Sequence, residues 1–359
     1  MLINQVCLCR GCLYRGSTVY AFLGLALGDE HVDLIRIDYT ADVTNIWRSL
    51  VRVHLEIDGN LSIFDYFAGI DRPLGFSSWA HGITEETTAG PDMYEVNTSN
   101  LQIEFKASVI DNPDIVLSNG TEELLALRGV FFDVVEHVGE KYAGSELSPI
   151  VGLSSRAASN EGDETQPVFK NWQRIAGVER AMKFITNKIQ SVRRDPEDDE
   201  DTLVIREPVG DDFSKMWRDA AASCSGLYPT GKSKLDAFIQ TIMLDPGAEG
   251  ESCERFQDRR EILLSHKRCD PFSFAFASSA LFQHRFFMTA RGYFGIGPAA
   301  VSAGDKVVVF HGGKTPHILR REGEHHIIVG WTYVQDLMSG ELDEIMHGCE
   351  LHEERIILS

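Results

Sequence analysis

The amino-acid sequence predicts an α+β fold, with a mainly helical, mixed body followed by a small C-terminal antiparallel β-barrel or curled sheet. Three observations predict it. Apolar residues recur at helical spacing over residues 43–57 and again between residues 169 and 244. From Pro271 onward, short apolar or alternating runs are separated by glycine turns. A hydrophobic content of 43% over 359 residues can fill a sizeable core.

In chain order, the run TVYAFLGLAL at residues 18–27 spaces Val19, Phe22, Leu23 and Leu27 as a buried helix, with Ser17 as its cap and Gly28 as its stop. Arg10 and Arg15 upstream imitate a secretory signal, but the run is too short to span a membrane. A second helix is predicted from a Thr40 cap to a Gly59 stop, with Val43, Ile46, Trp47, Leu50, Val53 and Ile57 on its apolar side. Leu101–Phe105 alternates like a strand, and Arg128–Val135 reads as a buried strand. Residues 140–166 form a Ser/Gly/Glu-rich connection. One long helix is expected over Phe169–Val192, then the acidic loop 195–201, and further helices over residues 211–225 and 234–244. A hairpin turns at Ala290–Gly292, and strands follow over residues 305–310, 316–321 and 325–334. The domains expected are a helix-plus-strand body at 1–139, the connection at 140–166, a helical segment at 167–270 and a β-rich domain at 271–345.

Aspartate and glutamate outnumber lysine and arginine 54 to 34, giving a formal charge of −20, which argues against general binding to nucleic acid or anionic membrane. Seven scattered cysteines, an odd number, do not form a secreted disulfide framework, so a reducing, cytoplasmic setting is expected. Cys7, Cys9 and Cys12 lie close together, but no second ligand pair follows, and no metal site is expected.

Gly226–Ser233, GLYPTGKS, matches the phosphate-loop pattern G-x-x-x-x-G-K-[ST]. Gly226 and Gly231 would turn backbone N–H groups toward phosphate, with Lys232 on the outer phosphates and Ser233 on magnesium. That chemistry needs a buried strand leading into the loop and a helix N-terminus behind it. The helix is predicted. The residues before the loop, with Phe213, Met216, Trp217 and Ala220, instead have helical spacing. Nucleotide binding is therefore the alternative reading, and no cofactor is expected. His311, His317, His325 and His326 cluster in the β-rich region, but no nucleophile is placed beside them. They are expected to be surface or hydrogen-bonded residues, and no catalytic residue is assigned.

Several longer stretches resemble fungal heterokaryon-incompatibility (HET) proteins in the region C-terminal to their HET domain. These are Arg285-Phe-Phe, TARGYFGIGP (289–298), AGDKVVV (303–309), GGKTPHILR (312–320) and IVGWTYVQDLMSGE (328–341). VYAFLGLA (19–26), Ile37-Asp-Tyr-Thr40, residues 127–140 and Met216-Trp-Arg218 extend the resemblance along most of the chain. It implies structural roles for Gly292, Tyr293, Gly295, Gly297, Gly304, Asp305, Gly312, Gly313, Pro316, Gly330, Trp331, Tyr333 and Gly340. It also implies a regulatory or recognition module in fungal non-self recognition and programmed cell death, working through protein partners without its own catalysis. The family's N-terminal HET domain is expected before Val19, where only 18 residues stand. The resemblance therefore implies a truncated or divergent member, and no HET-domain residue carries over.

Overall fold

The computed structural model describes residues 38, 40–57, 59–66, 77–80, 105–118, 124–143, 167–193, 211–245, 281–348 and 350–359. The helix expected at 18–27, the strand at 101–105 apart from Phe105, Cys7, Cys9 and Cys12, and the acidic loop 195–201 lie outside the described residues, as does most of the 140–166 connection.

The architecture is α+β. A nine-stranded sheet is assembled around β2 (Leu125–Lys141), a strand of 17 residues. Along one edge β2 pairs first with β1 (Ile115–Leu117), at Ile115 opposite Leu127, and then with β5 (Lys306–Phe310), from Gly129 opposite Phe310 to Val134 opposite Lys306. Along the other edge it pairs with β9 (Glu353–Leu358) and then with β3 (His284–Thr289). β5 continues antiparallel to β6 (His317–Glu322) and β6 to β7 (His325–Trp331). One parallel residue pair, His326 with Leu358, joins β7 to β9 and closes a ring, with Ser359 N donating to His326 O at 3.0 Å. Of the two expectations, the curled sheet is what forms, because a single pair closes the ring where a barrel needs a continuous ladder. β3, β4 (Phe294–Pro298) and β8 (Tyr333–Val334) extend from β2 as an antiparallel arm.

The apolar runs in β5–β7 are continuous because both sheet faces are buried. Val307, Val309, Ile318, Val329 and Trp331 belong to one core, which also holds the helices α2 (Pro167–Ala176), α3 (Glu179–Arg193), α4 (Asp211–Ala222) and α5 (Lys234–Met243). Val308, Phe310, Leu319 and Ile328 belong to a second core. This second core is closed by α1 (Val43–Ile57) and by 3-10 turns at Ser62–Tyr66 and Ser78–Ala80, through Ile46, Trp47, Leu50, Phe64 and Trp79. A short helix, α6 (Leu342–Gly348), precedes β9.

Two helix boundaries differ from expectation. Asp42, rather than Thr40, caps α1: its carboxylate accepts from Thr44 N at 3.0 Å, while Thr40 bonds back to Asp38. The single helix expected over 169–192 is two helices, broken at Gly177. Gly177 has φ +71°, its N–H bonds Arg174 O, and the Val178 N–H bonds Gln173 O, a glycine C-cap that ends α2 while the apolar spacing runs on uninterrupted. The first helix of the pair is held to β2 where the Trp172 indole donates to Glu140 O at 2.8 Å.

The arm depends on a close approach at Gly295, where an added Cβ would sit 2.3 Å from Phe287 Cζ and 2.7 Å from Tyr333 O. The Tyr333 oxygen belongs to the strand paired with Gly295 and cannot withdraw. Gly295→Ala is expected to cost roughly 1–3 kcal/mol through overpacking. Gly348→Ala, which meets nothing within 4 Å, is expected to stay within about 0.5 kcal/mol of the parent. Denaturant unfolding of the two variants checks the contrast.

Candidate functional site

The GLYPTGKS segment follows α4 and a turn, so a helix and not a strand leads into it. The segment folds on itself as a tight hairpin. Leu227 bridges to Ser233, Tyr228 N donates to Lys232 O at 3.0 Å, and Gly231 N donates to Tyr228 O at 2.8 Å. Gly226 and Gly231, with φ +74° and +87°, make the turns possible. Ser233 caps α5, its hydroxyl accepting from Asp236 N at 3.0 Å.

The lysine is also engaged. Lys232 Nζ donates to Asp336 Oδ1 at 2.6 Å and to Gln240 Oε1 at 3.0 Å. Thr230 Oγ1 donates to Asp336 Oδ2 at 2.6 Å, and Gln335 Nε2 donates to Asp336 Oδ1 at 2.8 Å. Asp336 thus receives three side-chain donors in a buried position. Its backbone is left-handed at φ +61°, a conformation aspartate tolerates better than most residues. Behind the ion pair, Tyr228 OH donates to Gln335 O at 2.9 Å and accepts from Phe294 N at 3.2 Å, and Tyr333 OH donates to Gln335 Oε1 at 2.8 Å. Burial pushes both tyrosine hydroxyls well above their ordinary range and raises the Glu341 carboxyl next to them. The arrangement fastens the α4–α5 hairpin to the ends of β4 and β8.

The other sequence-singled residues are distributed over the sheet. Asp305 forms a two-point ion pair with Arg320, at 2.7 Å to Nε and 2.8 Å to Nη2, and accepts from Ser302 N. Gly304 N donates to Val135 O, tying this corner to β2. Gly292 and Tyr293 form the β3–β4 turn, and Gly297 lies under the Phe287 ring. Gly312 and Gly313 begin the β5–β6 loop, Pro316 O accepts from Thr332 N, and Gly330 pairs with Ile318. Gly340 approaches Val109, and Trp331 packs beside His284.

The histidines of the β-rich region occupy different environments. His311 faces Glu353 at 3.5 Å, and His326 lies against the Phe131 ring. His317 is not at the surface: it is fully buried at the second core, where neither ring nitrogen makes a well-aligned hydrogen bond. β6 turns it inward against the 3-10 turn at Ser62–Tyr66, where Asp65 Oδ1 is 3.9 Å from Nε2. Sequence reasoning did not find Asp65. Among the described residues, no group of three or more histidine, cysteine or acidic side chains is placed to hold a metal ion.

The site is thus a ring-closed α+β sheet with a helix hairpin locked to its arm by a partly buried lysine–aspartate pair. The model of the Het-6 beta-barrel domain matches residues 122–351, well over half of the chain, and the chain belongs to that family. It is 40% identical over 60 residues to heterokaryon incompatibility protein 6, OR allele, of Neurospora crassa. That match covers 16% of this chain and 9% of the relative's length. No solved structure matches.

Lys232→Met is expected to destabilise the fold by about 3 kcal/mol, at the lower end for breaking a buried pair because the lysine side chain keeps 28% of its exposure. Pairing it with Asp336→Asn should cost less than the two single changes summed. Denaturant unfolding of the three variants measures the difference.

Proposed function

We propose that this chain acts in fungal heterokaryon incompatibility as a regulatory or recognition module, working through protein contacts in the cytoplasm without catalysis of its own. Membership of the Het-6 beta-barrel family carries the reading, and the likeness to a heterokaryon incompatibility protein supports it. The GLYPTGKS geometry supports a structural role for that loop. Its lysine is paired, its serine caps a helix, and two of its N–H groups are spent within the hairpin. A formal charge of −20 disfavours nucleic acid or anionic lipid as the partner, and no helix among the described residues is long and apolar enough to cross a membrane.

Nucleotide binding through Lys232 and Ser233 is the competing reading. Calorimetry with ATP and GTP in magnesium is expected to give no saturable heat with folded protein. Saturable binding that Lys232→Met abolishes in a folded variant would establish the competitor. In the fungus itself, deleting the gene from one strain of an incompatible pair is expected to relax the lytic reaction on hyphal fusion, and an unchanged reaction would overturn the proposed role.

A further inference from the structure

Asp65 and His317 meet where α1 and its 3-10 turns dock on the ring, inside the second core. Both are taken out of water: the Asp65 side chain is 10% exposed and that of His317 1%. The surroundings are apolar, with the Phe64 and Phe310 rings packed on the imidazole at 6.2 and 5.5 Å between centroids. One hydroxyl, Thr315 Oγ1, donates to Asp65 Oδ1 at 2.7 Å, while the imidazole nitrogens make no well-aligned hydrogen bond and have the backbone of Thr315 and Phe64 nearby. A carboxylate and an imidazolium are both costly in such a place, whereas the neutral forms can be buried. Of the other titratable groups around the joint, the Lys314 ammonium favours ionised Asp65. His54 of α1 contacts Ser62, and His311 is turned to Glu353.

We infer that Asp65 and His317 form a proton-exchanging joint in mildly acidic solution: as the N-terminal cap docks there, the proton that the imidazole gives up is taken by the carboxyl, and the joint closes as a neutral pair with no net proton release. The bond broken is N–H on the imidazolium, and the bond formed is O–H on the carboxylate.

The signs follow from burial. Desolvation raises Asp65 from 3.8 to about 6, against the weaker pull of Thr315 and Lys314. A carboxyl raised on folding adds stability as pH falls through 6 toward 3.8. Desolvation lowers His317 from 6.5 to about 4, only partly offset by the nearby backbone of Thr315 and Phe64. An imidazole lowered on folding removes stability as pH falls from 6.5 toward 4. Between about pH 4 and 6 the folded pair and the unfolded pair each hold one proton, so the two slopes cancel.

The test is denaturant unfolding of the full chain between pH 4.5 and 7 for wild type, Asp65→Asn, His317→Gln and the double variant. Relative to wild type at each pH, the folding constant of Asp65→Asn should fall by up to about 30-fold on acidification from pH 7 to 4.5, and that of His317→Gln should rise by up to about 100-fold. The double variant should track wild type. Flat ratios for both single variants, or slopes of one sign, would overturn the joint. If either variant fails to fold, NMR titration of wild type decides: a His317 ring still neutral at pH 5 is expected, and protonation near pH 6.5 would sink the inference.

Discussion

The long strand β2 is the constraint on which the rest of the structure depends. At about 3.3 Å per residue, its 17 residues run on the order of 55 Å, far longer than an ordinary strand. It carries ladders to β1, β5, β9 and β3, two along each edge. A flat strand could not serve all four. Register irregularities between Phe131 and Asp133, Val135 and His137, and Val138 and Lys141 let it bend and coil from the ring into the arm. Its N-terminal half gives Leu125 and Leu127 to the core under α1, and its later residues give Val130, Phe132 and Val135 to the core under α2–α5. Both cores are therefore built on one strand, and neither helical layer docks on a surface that the other leaves unaffected.

Because helices cover both faces, ionisable groups are trapped at the joints, and the molecule handles them in two ways. At the α4–α5 hairpin it keeps the charges and surrounds them: Asp336 has three side-chain donors, and Lys232 has a carboxylate and an amide oxygen. At the N-terminal cap it provides few polar partners, and burial there raises the Asp65 carboxyl and lowers the His317 ring. The first solution fixes geometry, since the directed bonds at Asp336 orient the loop and the strand end together. The second leaves the apolar contacts of Trp47, Phe64 and Trp79 to do the positioning.

How much of this was legible in the sequence depended on range. The hairpins from β3 to β7 were legible because strand periodicity and glycine turns are local signals, and α1 because its apolar spacing ends at a glycine. β2 was read only over Arg128–Val135. Its continuation, Glu136-His-Val-Gly-Glu-Lys141, is half polar, since one face of the arm meets solvent, and nothing local announces a strand that long. The break at Gly177 was hidden because Trp172, Ile175, Val178 and Met182 keep helical spacing across it, although a glycine there was an available C-cap signal. At the sites, the helix before GLYPTGKS was readable from Met216, Trp217 and Ala220. The partner of Lys232 was not, because Asp336 lies 104 residues further on. Asp65 and His317 belong to different elements of different periodicity, and only folding brings them together.

GLYPTGKS also shows why a phosphate-loop pattern has to be judged with its flanks. Two glycines, a lysine and a hydroxyl before a helix satisfy two unrelated demands. A phosphate loop needs the N–H groups to converge outward and the lysine to reach the outer phosphates. A hairpin that docks a helix pair on a sheet needs the glycines for left-handed turns, the hydroxyl for a cap and a cation to neutralise a buried acid. The features that separate them are the element before the loop and the fate of the lysine. Here α4 precedes it, and the ammonium lies 2.6 Å from a carboxylate that accepts from three side-chain donors. A triphosphate seated on this loop would have to break that pair and leave Asp336 facing its own negative charge, a like-charge contact in a partly desolvated site.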